Sequence, residues 1–276
     1  MKILSNNDGN NFLSNLIESN ENFAVSRLGI IELDCLLLSL LNNPIPQQLS
    51  SLLQNNAGLY GDNFCYDFYH EYKIAVQNCN IHAIWDDTNL MNKQLPVIES
   101  LSPYSTKVLN RSVEPFYFDN PWSSKLKNKK VLVISPFEHS IKSQFLHNRK
   151  NLWTNDVLPE FELIAYKSVQ SIGGQGPDKS WLESLNRMKS EITQIDFDIA
   201  LLGCGAYGVP LVSYIYSELN KSAIYIGGAL QIMFGIKGKR WDDHEIISKF
   251  YNDNWIRPSE YETPAVSNTI EGGCYW

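Results

Sequence analysis

Gly203-Cys204-Gly205-Ala206-Tyr207-Gly208 reads as G-x-G-x-x-G between two apolar runs, one ending at Leu202 and one starting at Val209. After a strand and before a helix, such glycines permit a tight turn and let backbone N–H groups approach a phosphate at the helix N-terminus. A dinucleotide site also wants an acid at the end of the next strand. Here that strand closes Ile226-Gly227-Gly228, which sets dinucleotide binding behind phosphate or polar-substrate binding and behind a structural tight turn. Gly228 is followed by Gly235-Ile236-Lys237-Gly238-Lys239-Arg240-Trp241. Three cations there can neutralise a diphosphate beyond the carboxyl end of a strand, or lie on a basic surface loop.

A second cluster lies near the start. Arg27 and Glu32 flank Gly29 at a strand-to-helix turn. The alternatives are a buried ion pair, or a site in which Arg27 meets an anion and Glu32 a metal or a sugar hydroxyl. Asp34 can join Glu32 as a carboxylate pair, although residues two apart on a helix point in different directions. Asp86-Asp87 follows another apolar run and reads as cation ligands or a turn. Asp242-Asp243-His244 reads as metal ligands or an N-cap. His139, beside Glu138 in a loop at a strand end, is a candidate base or hydroxyl partner. No nucleophile elbow, Walker lysine or H-E-x-x-H occurs.

The elements that must position these groups alternate. Helical spacing covers 11–21, and Phe23 to Ser26 is a short strand. Helices are expected around 36–41, 49–53 and 62–72, and a strand over 80–85. Four prolines, Pro96, Pro103, Pro115 and Pro121, predict loops and short helices over 95–129. Beyond them, Val131-Leu132-Val133-Ile134 is a continuous apolar run of the kind buried on both faces of a parallel sheet. It is followed by a helix at 141–153, a strand at 162–165, an amphipathic helix at 180–192, a strand at 198–202, a helix at 209–219 and a strand at 223–226. That rhythm specifies a doubly wound, Rossmann-like α/β domain with a mainly parallel sheet. The expected organisation is one domain over 1–276: an N-terminal half (1–94), an irregular connector (95–129), a βαβ half (130–250) and an extended tail (251–276).

The 276 residues carry 23 Lys+Arg against 30 Asp+Glu, a net charge of −7. That balance argues against a sequence-independent grip on nucleic acid and against a polybasic membrane anchor. The uncharged stretch between Asp198 and Glu218 is interrupted by Gly203, Gly205, Gly208 and Pro210, so no transmembrane segment is expected. The start has no long apolar run of the signal-peptide type. Cys35, Cys65, Cys79, Cys204 and Cys274 form no C-x-x-C pair, which predicts free thiols and a cytoplasmic protein.

The turn Arg27-Leu28-Gly29-Ile30-Ile31-Glu32, together with Asp198-Ile199-Ala200-Leu201-Leu202-Gly203 and Ala223-Ile224-Tyr225-Ile226-Gly227-Gly228, resembles the bacterial glycosyltransferases of the GT-D fold. Their first strand ends in R-x-G-D-G-E, whose acid–x–acid element holds a divalent metal and the nucleotide-sugar diphosphate. Arg27, Gly29 and Glu32 match, and Ile30 replaces the Asp. The resemblance spans roughly two-thirds of the chain. It implies transfer of a sugar from a nucleotide-sugar donor, a UDP-sugar by preference, to a surface glycan or glycolipid acceptor, at the inner membrane face if peripheral.

In that scheme Arg27, Lys239 and Arg240 stabilise the leaving diphosphate, while Gly29, Gly203, Gly205, Tyr207, Gly208 and Gly228 shape the substrate loops. Glu32 binds a metal or orients a sugar hydroxyl, His139 or Glu138 supplies the base if the reaction inverts, and Glu32 with Asp34 holds Mn²⁺ or Mg²⁺ if a metal is used. The rivals are an S-adenosylmethionine-type group transferase and a noncatalytic glycan- or nucleotide-binding subunit, which the Ile30 replacement favours.

Overall fold

A computed structural model of the chain describes residues 2–19, 21–265, 267 and 271–276. Its centre is one eight-stranded sheet in which every pairing is parallel. The strands are β1 (Ile3–Leu4), β2 (Ala24–Arg27), β3 (Ile81–Ile84), β4 (Thr106–Leu109), β5 (Lys130–Ser135), β6 (Glu162–Lys167), β7 (Ile199–Leu202) and β8 (Ser222–Tyr225). Their spatial order is β1-β4-β3-β2-β8-β7-β5-β6.

Alternate residues of the apolar runs serve two cores. Leu132, Ile134, Ala200, Leu202, Ala223 and Tyr225 face one layer. Val131, Val133, Ile199, Leu201, Ile224 and Ile226 face the other. The first layer is built by α2 (Ile30–Leu40), α3 (Gln47–Asn55), α4 (Phe64–Asn78), α5 (Thr88–Leu101), α8 (Trp181–Thr193) and α9 (Gly208–Ser217). The second contains α1 (Asn6–Ser19), α6 (Glu138–His147), α7 (Arg149–Leu152) and α10 (Ala229–Met233). This is the Rossmann-like arrangement the apolar rhythm specifies.

Four elements were not expected from the pattern, β1, β4, α5 and α10, and the helix expected over 141–153 divides into α6 and α7. Segment 95–129 therefore holds the end of α5, a sheet strand and 3₁₀ turns at Asn110–Val113, Pro115–Tyr117 and Trp122–Leu126. The tail packs along the core: Ile256 pairs with Ile236, and Trp255 is buried. Residues 266 and 268–270 of that tail lie outside the described residues.

The topology creates one switch point. From β2 the chain steps outward through β3 and β4; on the other side it enters at β5 and returns inward through β7 to β8, beside β2. In open parallel sheets ligands bind in the crevice beyond the carboxyl ends of strands at such a reversal. Arg27 ends β2 and Tyr225 ends β8.

Candidate functional site

Two adjoining chambers open over that switch point. The larger, about 670 Å³, is lined by residues 27–32, by the end of β3, by the turns after β4, and by Gly205, Tyr225, Gly228, Arg240 and Tyr275. The smaller, about 120 Å³, shares Gly205, Tyr225, Gly227, Gly228 and Tyr275 with it and reaches past Gly203 to Ser135, Ser171 and Gln231.

Arg27 sits at the junction. Its Nη1 donates to Ile226 O at 2.5 Å, its Nη2 pairs with Glu114 Oε1 at 2.8 Å, and its guanidinium lies 5.7 Å from the Trp85 ring centroid. Arg27 and Glu114 are both largely buried, with side chains 15% and 13% exposed. The Arg27 ion pair is thus made with a residue from segment 95–129. Trp85 is fixed by donating its indole N–H to Leu28 O at 3.0 Å and its backbone N–H to Gln94 Oε1 at 3.0 Å. Glu32 stands in the first turn of α2, its carboxylate packed against Gly29.

Asp34 does not join Glu32. On α2 it points elsewhere and pairs with Lys93 at 2.8 Å, as the angular separation of residues two apart on a helix requires. Asp87 N-caps α5 by accepting from Leu90 N at 3.0 Å, and Asp86 accepts from Asn110 N at 3.1 Å, which ties β3 to the turn after β4. Asp242 pairs with Arg257 at 2.7 Å. Among the described residues no group of three or more His, Cys, Asp or Glu side chains is placed to hold a metal ion. With Ile30 in the motif's Asp position, the donor set that the resemblance implies for Mn²⁺ or Mg²⁺ does not assemble.

The glycine loop is explained position by position. A Cβ on Gly203 would lie 2.7 Å from Gly227 O, and one on Gly208 would lie 2.2 Å from a Tyr225 ring carbon. Both glycines therefore allow β7, α9 and β8 to close up. Gly205 has φ of +58° and open space around it, so it is the position where the chain itself turns. Tyr225 donates its hydroxyl to Gly205 O at 2.9 Å, which locks the loop. Burial pushes the Tyr225 phenol well above its usual pKa, with Glu32 adding to the shift, so Tyr225 stays neutral.

Tyr207 is 2% exposed, stacked on Trp181 at 5.5 Å and hydrogen-bonded to Ser171 Oγ at 2.8 Å. Although it borders the smaller chamber, its ring is committed to the core. Gly228 abuts Tyr275, whose ring carbon would lie 2.9 Å from an added Cβ.

Arg240 faces the larger chamber, its guanidinium 4.6 Å from the Tyr275 centroid. Lys239 does not line either chamber; its Nζ donates to Gly272 O at 3.0 Å. Nor do Glu138 and His139. Glu138 pairs with Lys142. His139 is exposed, and its backbone N–H donates to Glu262 at 2.8 Å. Glu262, 4% exposed, also accepts from Ser140 N at 3.1 Å. A carboxylate from the chain's own tail therefore fills the N-terminus of α6, the position an anionic ligand would take.

Segment 95–129 supplies functional candidates that its sequence did not reveal: Asn110, Arg111, Glu114 and Tyr117 all line the larger chamber. Arg111 lies over Tyr117 at 4.8 Å. Burial, reinforced by Glu114, pushes the Tyr117 phenol up to about 12 against the opposing pull of Arg111 and Arg27, so it remains a hydrogen-bond donor. The polar pair Asn110-Arg111 directly after β4 is the signal, readable only once β4 itself is recognised.

Comparison with known proteins bears on the fold. Neither the curated proteins nor the solved structures contain a match to the chain. A family model described as the GT-D fold-like domain matches residues 105–233. The matched region begins beyond Arg27–Glu32 and includes Glu114, Tyr117, the Gly203–Gly208 loop and Gly228. Residues 105–233 carry a GT-D fold-like domain.

Proposed function

We propose that the protein is a glycosyltransferase that takes a nucleotide-sugar donor, a UDP-sugar by preference, and passes the sugar to a hydroxyl of a surface glycan or glycolipid. The observation that carries this reading is the meeting of Arg27, Glu32, Gly205, Gly228 and Arg240 around one 670 Å³ chamber at the sheet's switch point.

The acceptor hydroxyl oxygen bonds to the anomeric carbon as the bond from that carbon to the diphosphate oxygen breaks, and the electron pair leaves with the diphosphate. Arg27, held by Ile226 O and Glu114, and Arg240 stabilise the negative charge that develops there. Glu32 takes the hydroxyl proton. In this reading the transfer needs no protein-built metal site, in keeping with Ile30 at the motif's Asp position and with Asp34 paired to Lys93.

The test is release of nucleoside diphosphate from a sugar nucleotide by the purified protein. Arg27→Ala lowers turnover at least tenfold, about 1.4 kcal/mol in the barrier. Wild-type turnover in a folded Arg27→Ala variant contradicts the role of Arg27. Donor binding without turnover under any acceptor or metal condition favours the noncatalytic subunit, which Ile30 at the motif position also suits.

A further inference from the structure

The two chambers differ in chemistry. The larger is bordered by Arg27, Arg111 and Arg240 and by Glu32, Asp86 and Glu114. No Asp, Glu, Lys, Arg or His lines the smaller one. Its walls are the aromatic rings of Phe137, Tyr275 and Trp276, with polar atoms from serine and glutamine between them. It has under a fifth of the larger chamber's volume, 120 against 670 Å³.

Gln231, one of the lining residues, carries an unsatisfied atom. Gln231 is 2% exposed, and its Oε1 has no hydrogen-bond partner among the described residues. The amide orientation is set by its other end, because Nε2 donates to Ile236 O at 3.3 Å and to Tyr275 O at 3.2 Å. Oε1 is therefore a buried acceptor held in place beside the chamber. A buried amide oxygen without a partner is costly unless something supplies one.

We propose that the smaller chamber seats the transferred sugar and that it selects an uncharged sugar over a uronic acid. The inference rests on the nucleotide-sugar reading. Gly227 and Gly228 belong to both chambers, and Arg27 Nη1 lies 3.6 Å from where a Gly227 Cβ would be. A diphosphate at Arg27 thus places its attached sugar beside the neutral chamber, with the nucleoside in the larger one. A carboxylate carried into that chamber leaves water and meets no cation on the chamber's lining, and the desolvation is uncompensated.

The experiment is calorimetric titration of the full chain with UDP, UDP-glucose and UDP-glucuronate, with GDP, GDP-mannose and GDP-mannuronate, and with dTDP, dTDP-glucose and dTDP-glucuronate. The expected result is binding of one free diphosphate, with its neutral sugar nucleotide at least tenfold tighter than its uronate. A difference under tenfold while the free diphosphate binds overturns the sugar assignment and leaves the transferase reading standing. Failure of every nucleotide to bind overturns both. Gln231→Glu, checked for folding by circular dichroism, is expected to weaken the neutral sugar nucleotide at least tenfold while the free diphosphate keeps its affinity. Equal weakening of both would mean that Gln231 only supports the fold, against the proposal.

Discussion

Gly29 shows how a single hydrogen can set the position of a functional carboxylate. Its φ of −72° and ψ of 160° suit any residue, so alanine there costs no backbone strain. Yet a Cβ would lie 2.1 Å from Glu32 Oε2. That atom ends a flexible side chain and can move, so Gly29→Ala is expected to leave the melting temperature nearly unchanged while lowering turnover at least tenfold. Unchanged turnover would show that the carboxylate's position is immaterial. Gly208→Ala is the opposite case. The clash is with the Tyr225 ring, which is packed in the core and bonded to Gly205, so a stability loss of about 1–3 kcal/mol is expected in denaturant titration. A loss below the error of that titration would show that the ring gives way freely.

At the scale of elements, the parts legible in the sequence are those whose side chains announce their surroundings. Val131 to Ile134 and Ile199 to Leu202 are apolar throughout and buried on both faces. Two of the elements that escaped, β4 and α5, carry a residue that contradicts its context. In β4 it is Lys107, 2% exposed, whose ammonium is satisfied by carbonyls of Pro103 at 3.0 Å and Ser105 at 2.8 Å. Only the folded loop shows that compensation.

In α5 the contradictory residue is Pro96, inside the helix. A proline there forfeits a hydrogen bond to the carbonyl four residues back. Pro96 and Asn92 are both on the exposed side, so water can serve that carbonyl. The site was half legible for the same reason. Arg27, Glu32 and the glycine loop sit at strand ends, where chemistry is expected, whereas Glu114 and Tyr117 follow a strand that could not be recognised.

The tail is a structural element too, and Glu262 fastens it. Its carboxylate accepts from His139 N and Ser140 N of α6 and from Ser259 Oγ at 2.9 Å. Glu262→Ala removes charge-assisted bonds to buried donors and is expected to cost about 2–3 kcal/mol. Because Trp276 Nε1 donates to Glu262 O at 3.0 Å and Tyr275 walls both chambers, the same variant is expected to weaken nucleotide binding. Wild-type stability in Glu262→Ala would show that the tail is held by other contacts.

For the whole molecule, pH dependence follows from His82. It is fully buried on β3, with its Nδ1 2.5 Å from Ser26 Oγ and Lys107 beside it in the sheet register. Burial first, and Lys107 second, push its pKa down to about 3, against a small opposing effect from the Cys79 backbone. The native state thus holds His82 neutral, while the unfolded chain takes up a proton near pH 6.5. Stability is full above pH 6.5 and is lost as pH falls from 6.5 toward 3, with a slope approaching about 1.4 kcal/mol per pH unit. Urea titrations across that range check it. His82→Gln should flatten the slope, and an unchanged slope would assign the effect elsewhere.

The central claim is that the switch-point chamber binds a nucleoside diphosphate through Arg27 without relying on a protein-built metal site. The most direct measurement is a thermal-shift panel of nucleoside diphosphates and sugar nucleotides, each with and without Mn²⁺ or Mg²⁺, on the wild-type chain and on Arg27→Ala. A ligand at 100 times its dissociation constant adds about 2.7 kcal/mol of stability. The account predicts selective stabilisation by one nucleotide base, present without added metal and lost in Arg27→Ala. Stabilisation that appears only with metal would contradict the metal-independent part of the claim, and no shift with any nucleotide would contradict the claim as a whole.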